Sequence, residues 1–213
     1  MSPARGRFIT FEGIEGVGKS TQVQLAAQWL RAQGVDVVTT REPGGTPLAE
    51  EIRELVLKAR TEKLPAQAEL LLMFAARSVH LEALIKPALQ SGRWVLCDRF
   101  TDATFAYQGA GRGVSMERIA ELERLVQGGL QPDLTLLLDM PAAQGMQRVQ
   151  RRGNELDRFE SERVEFFERV RQGYLQRARA DAARFRILDA AAPLQQVQAG
   201  VSAALELLRS KHV

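Results

Sequence analysis

The chain has 213 residues, one cysteine, a net charge of +3 and 45% hydrophobic residues, enough to bury a core of ordinary size without disulfides or structural metal. No apolar run approaches the roughly 20 residues of a membrane-spanning helix. No signal sequence opens the chain and Cys97 has no second cysteine to pair with, so a soluble, cytoplasmic protein is expected. Of the 29 basic residues only five are lysines, leaving 24 arginines, whose planar fork of donors matches phosphate oxygens. No run of five or six basic residues marks a nucleic-acid surface, and neither nucleic acid nor membrane is expected as a partner.

In chain order, residues 7–12 (RFITFE) predict a short strand that runs into a glycine-rich turn, and residues 19–33 predict a helix stopped by Gly34. A second strand is expected over 35–40, a turn at Pro43-Gly44-Gly45 and a helix over 46–60. Helical apolar spacing then continues over 64–90, with Pro87 placed to bend its end. Residues 93–98 (RWVLCD) predict a third strand. A polar, glycine-bearing segment follows to Gly113, then a helix over 116–127 and a fourth strand over 133–139. Pro141 opens the next helix, and 151–158 is a charged, glycine-punctuated flap inside a lid segment of about 148–160. A helix over 160–183, a strand over 185–189 and a helix over 193–209 complete the chain. Short apolar strands alternating with helices predict one α/β domain of three layers, a five-stranded parallel sheet covered on both faces. In such sheets the ligand crevice lies beyond the carboxyl ends of the strands.

Gly13-Ile14-Glu15-Gly16-Val17-Gly18-Lys19-Ser20 fits the phosphate-loop pattern G-x-x-x-x-G-K-[ST], with the required strand before it and helix after it. Backbone N–H groups of such a loop cradle a triphosphate, Lys19 reaches the β- and γ-phosphates, and the Ser20 hydroxyl is placed to ligate Mg²⁺. With Thr21, residues 13–21 are the expected ATP-binding segment. An Asn-Lys-x-Asp guanine motif has no place here, because Asn154 is the only asparagine and glutamate follows it. Asp98 ends the third strand where an acidic residue can hold magnesium, and Arg99 follows it into the same crevice. A kinase and a non-enzymatic nucleotide switch both remain open on the loop alone, although a switch needs no arginine clamp for a second phosphate.

Several segments together resemble the bacterial thymidylate kinases, nearly throughout the chain: Phe11 to Thr21, Thr40-Arg41-Glu42-Pro43-Gly44-Gly45-Thr46, Phe74-Ala75-Ala76-Arg77, Asp98-Arg99-Phe100, Ala106-Tyr107-Gln108-Gly109 and Glu155-Leu156-Asp157-Arg158. The resemblance implies ATP-dependent phosphorylation of dTMP to dTDP with Mg²⁺, and usually a homodimer formed through helices flanking the sheet. The alternative is a related kinase acting on another nucleoside monophosphate or a deoxynucleoside. It further implies that Phe74 stacks on the thymine ring while Arg77 and Gln108 read its polar edge. Tyr107 packs where a 2′-hydroxyl would sit, Glu15 reaches the 3′-hydroxyl or the phosphate surroundings, Arg53 and Arg99 clamp the acceptor phosphate, and Glu42 orders that site. Ala103 stands where many members carry a serine, and Thr104 is expected to take over its hydrogen bond. Some relatives carry an arginine after the loop's acidic residue. That position is Gly16 here, so the catalytic cation is expected from the flap, with Arg148 and Arg152, one helical turn apart, favoured over Arg151 and Arg158.

Overall fold

A computed structural model describes residues 5–58, 61–151, 157–160 and 162–210. Five strands, β1 (Phe8–Glu12), β2 (Val37–Arg41), β3 (Trp94–Asp98), β4 (Leu134–Asp139) and β5 (Phe185–Asp189), form one all-parallel sheet in the order β2-β3-β1-β4-β5. All five lie within two residues of the strands expected from the sequence. Side chains of β1 alternate between the two faces, as the two-residue period of a strand requires. Ile9 and Phe11 join Val23, Ala27 and Leu30 of α1 (Lys19–Ala32) and Val201 and Leu205 of α9 (Leu194–Ser210), while Phe8 packs with Leu81, Ile85 and Leu89 on the opposite face. Helices therefore cover both faces, the α/β arrangement that the alternation of elements predicted.

Register sets the position of the site. Phe11 pairs with Asp98 and Arg41 pairs with the same residue from the other side, so β1, β2 and β3 end at one level. The Arg99 N–H donates to Phe11 O at 2.9 Å and the Glu42 N–H to Asp98 O at 2.9 Å. Residues just beyond the three strand ends are thereby held side by side, at the carboxyl edge where parallel sheets bind ligands.

Two helical stretches depart from simple expectation. Helix α3 (Ala66–His80) continues through a π-helical segment, Leu81–Ile85, into α4 (Lys86–Gln90), so the long helix expected over 64–90 is present with a widened turn. Pro87 has no N–H and its ring crowds the carbonyl four residues back, so the regular ladder cannot pass it. The segment up to Gly113 is helical: α5 (Thr101–Thr104) runs into a π-helical segment, Phe105–Gly111. Gly109 and Gly111 lower its helix propensity; at Gly111 packing against a buried ring requires glycine, whereas at Gly109 it is chiefly the end of the exposed Met116 side chain that would have to move. A Cβ on Gly109 would sit 2.8 Å from Met116 Sδ, and one on Gly111 2.7 Å from the Phe166 ring of α8 (Val164–Ala180). On α8, Gly173 makes the reciprocal close approach to Ala106 and Ala110. Buried Asp102, paired with Arg177 at 2.8 Å and Arg184 at 2.6 Å, ties α5 to α8 and to the turn before β5.

Of the remaining helices, α2 (Pro47–Leu57) begins on Pro47, a residue suited to the first helical turn. Helix α6 (Met116–Gln127) is capped by the Ser115 hydroxyl, which accepts from the Arg118 N–H, and α7 (Ala142–Gln150) leads towards the flap.

Candidate active site

The loop after β1 curls through positive φ at Gly13 (134°), Gly16 (77°) and Gly18 (90°), a region that residues with side chains disfavour. Gly18 precedes α1 without any side-chain cap, and no acidic residue stands in the first turn. The helix N-terminus is left to an anion. Lys19 is buried, and its Nζ donates to Gly13 O at 3.0 Å and Ile14 O at 2.7 Å. Burial, seconded by Arg99, pulls the ammonium down to about 8 against the opposing fields of Asp98, Glu15 and Glu12. Ser20 Oγ donates to Asp98 Oδ2 at 2.8 Å, and the buried Asp98 Oδ1 has no partner among the described residues. Ile14 and Val17 turn their side chains into the core, which leaves their backbone to the loop.

Gly16 has a packing reason as well as a conformational one. A Cβ at that position would overlap the Gly145 carbonyl of α7, while one on Gly145 would lie 2.6 Å from Glu15 O. With α7 seated there the loop has no room for an arginine side chain at position 16.

Beside the loop lies a partly open cleft enclosing about 420 Å³ of empty space, some of it open to solvent. Its polar lining is Glu15, Glu42, Arg53, Arg99, Gln108 and Asp157, and its apolar walls include Leu57, Met73, Ala103, Tyr107 and Phe159. A second hollow, on the loop side, is lined by Lys19, Ser20, Thr21 and Asp98. The two hollows share Glu15, Arg53, Arg99 and Asp157. Two guanidinium groups thus stand where one space opens onto the other.

Arg99 holds a left-handed backbone with φ of 69°. Its own N–H on Phe11 O and the following Phe100 N–H, which donates to Glu12 Oε1 at 2.8 Å, pin that turn to the end of β1. The side chain donates to Glu15 Oε1 at 2.7 Å and to the Tyr107 hydroxyl at 2.9 Å, and the hydroxyl donates in turn to the other Glu15 oxygen. Burial opposes the charge on Arg99, but Glu15 beside it holds the guanidinium protonated. Burial also pushes the Tyr107 phenol up, so it remains a donor. Arg53 donates to Pro43 O at 2.9 Å, and burial followed by repulsion from Arg41 and Arg99 lowers its pKa, the signature of clustered cations that an anion would relieve.

Arg77 is 1% exposed. Its Nε donates to Glu42 Oε2 at 2.7 Å and one terminal nitrogen donates to Thr104 Oγ1 at 3.0 Å, while Nη1 has no partner among the described residues. Its plane lies between the rings of Phe74 at 4.8 Å and Phe100 at 5.1 Å. Burial alone would raise Glu42, but Arg77 and the His80 hydrogen bond keep it below the usual carboxylate range. His80 spans Glu42 Oε1 at 3.0 Å and Thr40 Oγ1 at 2.7 Å, one contact from each ring nitrogen. Gln108 donates its amide to Glu69 Oε1 at 2.7 Å, and its buried Oε1 has no partner among the described residues.

The family model described as thymidylate kinase matches residues 11–201. The chain belongs to the thymidylate kinase family. It is 63% identical over 206 residues to the thymidylate kinase of Chromohalobacter salexigens, covering 96% of each chain, and 60% identical over 201 residues to that of Teredinibacter turnerae, covering 94% of this chain and 98% of the other. In structure it resembles the crystal structure of thymidylate kinase from Ehrlichia chaffeensis, with a TM-score of 0.75 at 36% identity, covering 94% of this chain and 99% of that one. Membership of this family makes the chain a phosphotransferase with ATP as donor.

Most residues singled out from the sequence meet at this edge of the sheet, but some lie elsewhere. Phe74 packs with Leu70, Phe105 and Ile119 behind Arg77, and the cleft wall at that level is Met73 and Ala103. Thr104 is wholly buried against Arg77. Arg148 is exposed on α7 and donates to Ala190 O at 3.1 Å, outside the lining of both hollows, and Arg152 lies outside the described residues. The sequence reading missed Asp157 and Phe159 as lining residues, although they sit in or beside the Glu155-Leu156-Asp157-Arg158 segment. Leu57 and Met73 gave no signal, because an apolar residue on a helix reads as core. Buried Glu69 did leave one, a lone carboxylate beginning an apolar helical stripe.

Proposed function

We propose that this kinase transfers the γ-phosphoryl group of ATP to dTMP, releasing ADP and dTDP, with the loop hollow as donor site and the adjoining cleft as acceptor site. The observation that carries the site assignment is the shared wall: Glu15, Arg53 and Arg99 line both spaces, so an acceptor phosphate clamped by the two arginines would face the end of a triphosphate held by the loop. The acceptor oxygen is already ionised near neutral pH, so the protein's tasks are positioning and charge neutralisation. Lys19 exchanges its loop carbonyls for the β- and γ-phosphates. Arg53 and Arg99 draw the acceptor phosphate to the junction, and Glu15, bonded to both Arg99 and Tyr107, fixes that geometry while Glu42 fixes Arg77.

The base end of the cleft carries the matching pattern. Among the described residues Arg77 Nη1 is a buried donor without a partner and Gln108 Oε1 a buried acceptor without one. The thymine edge offers the complement, an acceptor at O4 and a donor at N3–H. Tyr107 is assigned to exclusion of a 2′-hydroxyl; stacking on the ring stays a proposal for Phe74, whose ring in this structure supports Arg77 and lies outside the cleft lining. The segment of about 148–160 is assigned as the lid of a single domain, and Arg148 and Arg152 as its cations.

Mg²⁺ fits the donor side. Ser20 Oγ and Asp98 offer hard oxygens in contact with each other, and Asp98 Oδ1 is a buried acceptor without a partner among the described residues. Among the described residues no cluster of three candidate ligands exists, and Mg²⁺ commonly takes its remaining ligands from phosphates and water. Held by Ser20 and Asp98, it would supply positive charge to neutralise the donor phosphates. No described helix is long and apolar enough to cross a membrane, and cytoplasmic residence is the proposed setting. Homodimerisation through the helices flanking the sheet is proposed on the family's habit and on half-exposed Leu71 of α3. Light scattering at micromolar concentration reads the mass.

The reaction itself is tested with γ-labelled ATP and each common nucleoside monophosphate. Label should appear in dTDP at the highest kcat/KM of the set. Efficient labelling of another diphosphate, with dTMP a poor acceptor, would overturn the acceptor assignment.

A further inference from the structure

We infer that Glu69 is a positioning residue for base selection: by accepting the Gln108 amide it forces the Gln108 carbonyl towards the acceptor and sets the preference for a pyrimidine carrying N3–H. The inference rests on dTMP as the acceptor and on Gln108 facing its base. A glutamine amide can present either an N–H or a C=O, and nothing in its own chemistry chooses between them. Here the partner chooses. Glu69 is wholly buried, and its carboxylate offers only acceptor lone pairs to the Gln108 Nε2 at 2.7 Å. A flipped amide would set its oxygen against that carboxylate and lose the bond in a buried place.

The carboxylate is itself held. Its second oxygen accepts from Arg158 Nη2 at 2.5 Å, and Arg112 Nε lies 3.6 Å from the first. The two guanidinium groups keep Glu69 paired and aimed at Gln108 from α3. With that orientation fixed, Gln108, which lines the cleft, keeps its buried Oε1 as an unpartnered acceptor, and Arg77 Nη1, behind the lining, is a buried donor without a partner among the described residues. This is complementary to the O4 and N3–H of thymine. Cytosine inverts both features, offering an amino donor at C4 and an acceptor at N3, and would meet donor against donor and acceptor against acceptor. Sites that read polar edges with buried partners reject such mismatches strongly.

The test compares kcat/KM for dTMP and dCMP at saturating ATP, alongside thermal stability. In Glu69→Gln the new amide can donate as well as accept, so Gln108 is free to turn, and the dTMP-to-dCMP ratio should fall about tenfold or more through a higher KM for dTMP. Exchanging the pair, Glu69→Gln with Gln108→Glu, keeps one negative charge between α3 and the Phe105–Gly111 segment. The amide at position 69 then donates to the carboxylate at position 108, whose other oxygen still accepts from N3–H. The ratio should return to within about threefold of wild type. A merely structural role for Glu69 would lower both substrates together. An unchanged ratio in folded Glu69→Gln, or an exchange variant no more selective than the single one, overturns the inference while leaving dTMP as the acceptor. If Glu69→Gln does not fold, the exchange variant decides alone: retained discrimination supports the inference and lost discrimination ends it. Absence of dTMP turnover in the wild type would instead sink the acceptor assignment on which it stands.

Discussion

The donor and acceptor halves of the site are built on different principles. On the donor side one continuous segment supplies Glu15, Gly16, Gly18, Lys19, Ser20 and Thr21, shaped by three glycines at positive φ, and the rest of the lining apart from Asp98 and Glu160 is shared with the cleft. The acceptor side gathers side chains from positions 15 to 159, and several of its polar members are already held by partners. Arg99 holds Glu15, Arg77 holds Glu42, and Gln108 holds Glu69. A phosphate is common to many ligands and can be met by a reusable loop. A particular base must be met by groups whose orientation is fixed beforehand, and that takes a second set of side chains behind the first.

This contrast can be broken most severely at Lys19. In Lys19→Ala kcat should fall by about 10³-fold with dTMP affinity nearly unchanged, because the lost charge serves the donor phosphates alone. Thermal stability should not drop, since a desolvated ammonium is removed. Near-normal turnover at saturating ATP would show that the loop does not use it.

The lid comes next. Arg152→Ala should lower single-turnover phosphoryl transfer by roughly 10²-fold with a smaller effect on dTMP binding, and Arg148→Ala is its paired test. If both act on one phosphoryl group, the double variant loses less than the product of the single losses. A wild-type single-turnover rate in the double variant would reduce the lid to a cover.

Tyr107 sharpens the acceptor side. Replacing it with alanine should raise the ratio of ribothymidine monophosphate to dTMP turnover by about tenfold, as the space beside the sugar opens. Because its hydroxyl also joins Glu15 to Arg99, absolute rates should fall for both substrates. An unchanged ratio would remove Tyr107 from discrimination against the 2′-hydroxyl.

Two pH effects are smaller. With Lys19 near 8 in the free enzyme, ATP binding should take up a fraction of a proton at pH 8.5 and much less at pH 7, since the triphosphate favours the charged ammonium. Calorimetry in buffers of different ionisation enthalpy reads this uptake, which Lys19→Ala should abolish. Glu12 is raised to about 8, by burial first and then by Asp102, from an ordinary carboxylate value. Between about pH 4.5 and 8 the folded state therefore binds more protons than the unfolded one, and stability contributed by the protonated form is lost as pH rises. Glu12→Gln should flatten that decline in thermal midpoint. A parallel decline in the variant would assign it to other groups.

The same contrast explains what was legible in the sequence. The loop could be read directly, because G-x-x-x-x-G-K-S between a strand and a helix is a local pattern with a local cause. The sheet was legible for the same reason, its strands being short, apolar and separated by helical spacing. The helical segment over 101–111 was hidden, because Gly111 is there to admit Phe166 and neither it nor Gly109 carries a local helix signal. Leu57, Met73 and Phe159 were hidden as ordinary apolar residues whose exposure to a cleft depends on tertiary placement. Phe74 and Arg77 were picked out together by resemblance. That Phe74 lies behind Arg77, with Met73 at the cleft wall, follows from how α3 is rotated, which spacing alone does not fix to one residue.

The central claim is that the two halves meet at Glu15, Arg53 and Arg99, and a structure of the enzyme with dTMP and a non-hydrolysable ATP analogue tests it most directly. The account predicts the dTMP phosphate within hydrogen-bonding distance of Arg53 and Arg99, the thymine edge on Arg77 and Gln108, and the analogue's terminal phosphate beside Lys19. A dTMP bound with its phosphate away from both arginines, in an enzyme that still turns over, would contradict it.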